Sequence, residues 1–278
     1  MVTAMHEIRI DPLSGLRAIV ATDPDQPAAE GPPLSPDAPA PPPDAQPALY
    51  TALGARGAHE VIVNHPEPVT SLAALAVEQV QAAVERWRER MRAHPGAAYV
   101  HVCVDERVMP GGPADVSTAQ LYALDFVPAV VARERERFSA HATRTMGSNL
   151  LEDLVQEEVR RRVRIVAIDD EAVLFCPYAS SAPYTLMLAP RRRRERFEDD
   201  GPSGAALLHD ALMRLARHFG ESPPLSLWVR TAPRDAERFC WHIDIVPRLT
   251  PPGGLELGAA LHRNDVAPEQ AAAELRAV

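Results

Sequence analysis

The sequence predicts an α+β protein built from two similar halves, each a mainly antiparallel sheet packed with one long helix. Three observations carry this expectation. Tyr99–Val104 and Phe239–Val246 alternate apolar and polar residues with the period of two that a half-buried strand requires. Between Ser71 and Met91, by contrast, Leu72, Leu75, Val80, Val84, Trp87 and Met91 fall on one stripe with Glu and Arg opposite, the pattern of an amphipathic helix. The plan then recurs. Strands at Arg164–Ile168, Ala172–Cys176 and Tyr184–Ala189 precede a second amphipathic helix at 203–219, with Leu208, Leu212, Leu215 and Phe219 on its apolar face. Such a repeat implies an internal duplication, with halves at residues 1–138 and 139–278.

Taken in order, the chain opens with a hairpin from His6 to Ile19, turning at Asp11–Gly15. A Pro- and Ala-dominated stretch over 22–43 predicts an extended or disordered loop. A strand follows at 57–63, then the helix that Ser71 caps and Pro95-Gly96 closes. Ala132–Thr145 is charged and reads as the link between the halves, Ser148–Arg160 as a helix with Ser203 a matching cap for the later one, and Pro177–Ser180 as a turn. The strand from Phe239 sends Trp241, Ile243 and Ile245 to one side and Cys240, His242 and Asp244 to the other. A thiol, an imidazole and a carboxylate on one face suit a metal, a phosphate or a proton transfer; an amphipathic strand with a solvated histidine has the same pattern.

Composition narrows the function classes. A chain of 278 residues that is 46% hydrophobic buries a substantial core. No run reaches the apolar length of a membrane span and no secretory leader is evident, so a soluble, cytoplasmic protein is expected. Cys103, Cys176 and Cys240 form no Cys-x-x-Cys pair, which excludes a zinc ribbon and a redox motif and predicts thiols. A net charge of −9 argues against general nucleic-acid binding. All 29 basic residues are Arg, which removes lysine Schiff-base chemistry and the lysine of a phosphate-binding loop. The run Arg191–Arg196 reads as a solvated loop or as an anion-binding edge.

Five segments share a resemblance: Glu7-Ile-Arg9-Ile-Asp11-Pro12, Gly57-Ala-His59-Glu60-Val-Ile-Val63, Gln120-Leu-Tyr-Ala-Leu-Asp-Phe-Val-Pro128, Phe175-Cys-Pro-Tyr-Ala-Ser-Ser-Ala-Pro-Tyr184, and Phe239-Cys-Trp-His-Ile-Asp through Gly258 to Leu261-His-Arg-Asn-Asp-Val-Ala-Pro268. Together they resemble galactose-1-phosphate uridylyltransferases of the histidine-triad superfamily over nearly the whole chain. The resemblance implies duplicated histidine-triad-like halves and a nucleotidyl transfer in which the second His of a His-Pro-His motif becomes covalently nucleotidylated. A gapless match places Val116, Ser117 and Thr118 on that motif, Gly111 on the loop glycine, Asp105 on a family Asn, and Gln120 on the residue that hydrogen-bonds the transferred phosphate. Thr118 lacks a neighbouring base in sequence, no His lying between His101 and His141, so the covalent step is expected to be lost.

The family's metals are implied in the same way. Pro68 and Val116 stand at two zinc-binding histidines, with His65 out of register, and no Cys-x-x-Cys completes that site. The second metal's positions are Glu158, Arg230, Cys240 and His242, where Arg230 is expected to pair with Glu158 or Asp244 in the ion's place. No zinc or iron is therefore expected. A homodimer is expected because the resembling enzymes pair and because Tyr99–Val104 would otherwise be an exposed edge. The leading functional expectation is a protein that binds a nucleotide, nucleotide sugar or sugar phosphate through Asp105, Gly111, Gln120, Arg230, Cys240, His242 and Asp244, without a covalent nucleotidyl-histidine. The alternatives are an active nucleotidyltransferase or phosphate-ester-cleaving enzyme using His242 as general base, and a structural or partner-binding pseudoenzyme.

Overall fold

The computed structural model describes residues 6–10, 12, 17–21, 58–66, 69–107, 117–199, 201 and 204–278. The 22–43 loop, Pro68, Gly111 and Val116 lie outside these residues.

The hairpin is present as β1 (His6–Ile10) and β2 (Arg17–Ala21), paired antiparallel. The remaining strands are β3 (Ala58–Val63), β4 (Tyr99–Glu106), β5 (Thr118–Leu124), β6 (Ile165–Ile168), β7 (Ala172–Phe175), β8 (Leu186–Pro190), β9 (Leu225–Arg230) and β10 (His242–Pro247). They form one antiparallel sheet in the order β3-β5-β4-β9-β10-β8-β7-β6. The helices are α1 (Val77–Arg92), α2 (Ala129–Arg144), α3 (Leu150–Arg161), α4 (Ala205–Phe219), α5 (Gly254–Ala259) and α6 (Pro268–Arg276).

The duplication is visible in the topology. Strand, helix, strand, strand runs β3-α1-β4-β5 in the first half and β8-α4-β9-β10 in the second, and each time the last strand inserts between the other two. The halves meet edge to edge through β4 and β9, which makes one continuous sheet of what the sequence shows as two. Thr118 opens β5 as His242 opens β10, so these two residues are topological counterparts. This layout corrects one expectation: Tyr99–Val104 is no edge, because β4 lies between β5 and β9.

Strand alternation divides the sheet into two faces. Val100, Val102 and Val104 of β4, Ala119, Leu121 and Ala123 of β5, Leu225, Leu227 and Val229 of β9, and Ile243 and Ile245 of β10 join α1, α4 and α6 in the main core. Trp87 of α1 and Trp241 before β10 are among its largest fully buried side chains. Ser71 caps a short 3-10 turn, Leu72–Ala74, and the chain then restarts as α1 after Ala76, whose N–H is taken by the Gln79 side chain at 2.8 Å. For α4 the N-cap is Gly204, held left-handed at φ 69°, in place of the expected Ser203.

Ala132–Thr145, read as a linker, is most of α2. Val131, Phe138 and Ala142 give this charged helix a narrow buried stripe. Phe138 packs with Leu151 and Val155 of α3 and with Phe239 against the second sheet face, over β7 and β8. The rest of that face, over β5, β4, β9 and β10, carries polar side chains.

Candidate functional site

Register brings these polar residues into rows across the second face. One row runs Gln120, Cys103, Trp228, Asp244, and the next runs His59, Tyr122, His101, with Arg230 paired to His242 beyond β4. Each lies on a strand whose alternate residues are core, so burial of one face aims the other set outward. Gln120, Asp105, Arg230, His242 and Asp244 thus share one face, as alternation predicts. Cys240 does not join them: its side chain is fully buried in the apolar cluster with Phe138 and Phe239.

Arg230 is the electrostatic centre. Its Nε lies 3.6 Å from Glu134 Oε1 of α2 and 3.8 Å from Asp244 Oδ2, and its guanidinium carbon is 5.8 Å from the Trp228 ring centre. His242 Nε2 is 3.7 Å from Asp244 Oδ2, and its Nδ1 faces the Cys240 carbonyl at 3.4 Å. The expected pairing of Arg230 with Asp244 is there, but that with Glu158 is not. Glu158 is engaged by Arg164, at 2.6 Å from Nη2 and 3.1 Å from Nε, and Arg164 also reaches Glu269 at 2.7 Å. Arg164 intervenes because Arg162, in the left-handed conformation at φ 57°, ends α3 and turns the chain back beside Glu158.

Burial sets the protonation of this face. It raises the Glu134 carboxyl, against the opposing pull of Arg230 and His242. Burial, then the Arg230 charge, lowers His101 to about 4, so its imidazole is neutral at pH 7. Burial, then Asp105, raises Cys103 to about 12, which keeps it a thiol and a poor nucleophile. Asp105 accepts a hydrogen bond of 2.5 Å from Ser226 Oγ. Gln120 Oε1 is met by Tyr122 OH at 2.6 Å and His59 Nε2 at 2.9 Å. Among the described residues, Arg230 Nε, Trp228 Nε1 and Glu134 Oε2 are buried polar atoms with no hydrogen-bond partner. Two are donors in one neighbourhood, which is what a site for an acceptor-bearing ligand leaves open.

The residues at the family's second metal position do not fit a divalent ion. Glu158 is committed to Arg164, a permanent cation stands beside His242, and Cys240 is packed among phenyl rings. Among the described residues no group of three His, Cys, Asp or Glu is placed to hold a metal.

Sequence reading missed Glu134, Tyr122, His59, His101 and Trp228. For Glu134 the signal was present: Val131, Glu134, Phe138 and Ala142 are spaced to share one helical face. The others emerge only when register is known. Within the arginine run, Arg196 binds Glu198 at 2.8 Å and, with Arg92 and Arg234, lines a separate cavity of about 250 Å³.

Comparison with known proteins agrees with this fold. The family described as galactose-1-phosphate uridyl transferase, N-terminal domain, matches residues 22–108. A galactose-1-phosphate uridylyltransferase of Rattus norvegicus is 27% identical over 264 residues, 88% of this chain and 69% of its own length. An ADP-glucose phosphorylase of Arabidopsis thaliana is 22% identical over 80% of this chain and 65% of its own length. The chain thus spans about two thirds of these relatives. A solved uridylyltransferase superposes with a TM-score of 0.79 at 23% identity, covering 98% of this chain and 97% of its own. The Arabidopsis ADP-glucose phosphorylase with bound ADP-glucose superposes with a TM-score of 0.71 at 22% identity, over 80% of this chain and 74% of its own. No helix among the described residues is long and apolar enough to cross a membrane. By sequence the chain is thus similar to galactose-1-phosphate uridylyltransferases, and its paired strand-helix-strand-strand halves share the fold of the solved uridylyltransferase.

Proposed function

We propose that the chain binds a nucleotide, nucleotide sugar or sugar phosphate on the polar sheet face and does so without a covalent nucleotidyl-histidine. The observation that carries this reading is the pair of buried donors that make no hydrogen bond, Arg230 Nε and Trp228 Nε1, on the same face as Gln120. A phosphoryl group, rich in acceptors and negatively charged, satisfies all three. The relatives are named for nucleotide-sugar chemistry and one structure holds ADP-glucose, which supports the ligand class. Loss of the covalent step is supported by Thr118, whose hydroxyl opens the strand where the second half has His242. Of the histidines of this face, His59 meets Gln120 and His242 lies beside Asp244 and the Cys240 carbonyl, while His101 is neutral at pH 7. Removing a nucleophile costs many orders of magnitude in rate.

A second reading, His242 as a relocated general base, is favoured by Asp244 lying 3.7 Å from its Nε2. It predicts turnover of a phosphate ester that disappears in His242→Ala.

Binding is tested by thermal shift with UMP, UDP-glucose, ADP-glucose and galactose 1-phosphate. A ligand at about 100 times its Kd adds roughly 2.7 kcal/mol to stability, which raises Tm by several degrees. No shift with any of the four would leave the pseudoenzyme reading standing. The protein is further expected to carry neither zinc nor iron; elemental analysis near one metal per chain would contradict this.

A further inference from the structure

We infer that Tyr122 and His59 are positioning residues that fix the Gln120 side-chain amide with its NH₂ group, and not its oxygen, turned toward the ligand. The inference rests on the reading of this sheet face as a phosphate site. Register makes it possible: Val61 pairs with Gln120 and His59 with Tyr122 across β3 and β5, so all three polar side chains stand on one face. Tyr122 and Gln120 are two residues apart on β5, and the phenol donates to Gln120 Oε1 at 2.6 Å. His59 Nε2 meets the same oxygen at 2.9 Å. The two rings are stacked 4.5 Å apart at 13°, and His59 is buried, so neither ring can swing away independently.

The consequence follows from donor and acceptor capacity. An amide oxygen offers two lone pairs, and both are taken. What remains for a ligand is the NH₂ group, two donors and no acceptor. Such a group suits a phosphoryl or carbonyl oxygen and offers nothing to an ammonium, which has donors alone, so the clamp converts an ambivalent side chain into a selector for acceptors. Gln120 then acts with Arg230 and Trp228 as one of three donors on the face. The arrangement is a linked one. With the oxygen facing His59, that ring must carry a proton on Nε2; were the amide reversed, the same nitrogen would have to accept.

That linkage supplies a test requiring no ligand. In a long-range ¹H–¹⁵N spectrum of the uniformly labelled full chain near pH 7, His59 is expected to be protonated at Nε2, and an unprotonated Nε2 would overturn the inference outright. Binding then separates positioning from bulk structure. Uridine and UMP differ by the phosphate alone. Tyr122→Phe keeps the stacked ring and removes one donor to Gln120, so UMP affinity is expected to fall about 5- to 20-fold while uridine affinity stays unchanged. An equal loss for both probes would mean that Tyr122 is merely structural and would contradict the inference. If the wild-type chain bound neither probe, the phosphate-site reading would fall, and the protonation of His59 would still decide how Gln120 is held.

Discussion

Trp87→Ala is expected to lower the stability of the protein by about 3–5 kcal/mol in urea denaturation, the largest single-residue effect anticipated. Two losses combine. The indole is fully buried in the main core, so its removal leaves a cavity that the surrounding strands and helices close only in part. Its Nε1 also donates to Asn64 Oδ1 at 2.8 Å, and Asn64 Nδ2 donates in turn to Ser117 Oγ at 2.9 Å. Ser117 then reaches Glu106, a buried carboxyl raised by desolvation and held by Ser71 Oγ at 2.6 Å and the Leu72 N–H at 2.7 Å. This chain of bonds passes through Ser117, one residue before Thr118 and three before Gln120, so loosening it disturbs the head of β5 and the site with it. Trp87→Phe keeps most of the volume and loses the bond, and should cost about half as much. A loss below about 1 kcal/mol for the alanine variant would mean that α1 does not pack as described.

Arg230→Met is expected to cost about 2–3 kcal/mol at neutral pH and to abolish ligand-induced stabilisation. Removing one partner from a buried ion cluster leaves the others uncompensated, typically at about 3–5 kcal/mol. The loss falls below that range because the Glu134 side chain is 28% exposed and the contacts are 3.6 and 3.8 Å, longer than hydrogen bonds. The dependence on pH has a definite sign. Burial already raises the Glu134 carboxyl while Arg230 opposes it. A carboxyl raised on folding favours the folded state below its unfolded value, and that contribution is lost as pH rises through the folded one. Without Arg230 the Glu134 carboxyl rises further, so the deficit of the variant should shrink as pH falls from 7 toward the carboxylate range. Urea midpoints across that range decide the point; a deficit independent of pH would show that Arg230 stabilises through packing alone.

These residues also show what the sequence makes legible. Alternation in β10 put His242 and Asp244 on one face from spacing alone, because the other face is core, whereas Asp105 and Arg230 were reached only through the motif match. The stripe from Leu72 to Met91 was equally clear, though not its break at Ala76, where a single side-chain cap restarts the helix. Helix α2 was obscured because its buried stripe is only Val131, Phe138 and Ala142 among charges, and Glu134 was lost with it. The clamp on Gln120 needs a register between strands some 60 positions apart, β3 and β5, and no local pattern encodes that. The partner of Glu158 was not legible, because the motif match fixes a position in the chain, whereas the turn at Arg162 decides which cation reaches it.

The measurement that tests the central claim most directly is mass spectrometry of the intact chain mixed with UDP-glucose, recorded under native and then denaturing conditions. The account predicts a complex with the nucleotide sugar in the native spectrum and an unmodified chain after denaturation, since no His lies near Thr118 in sequence to make it a nucleophile. A UMP-sized increase that survives denaturation, mapped to any histidine, would contradict it, as would the absence of any native complex at ligand concentrations that saturate the thermal shift.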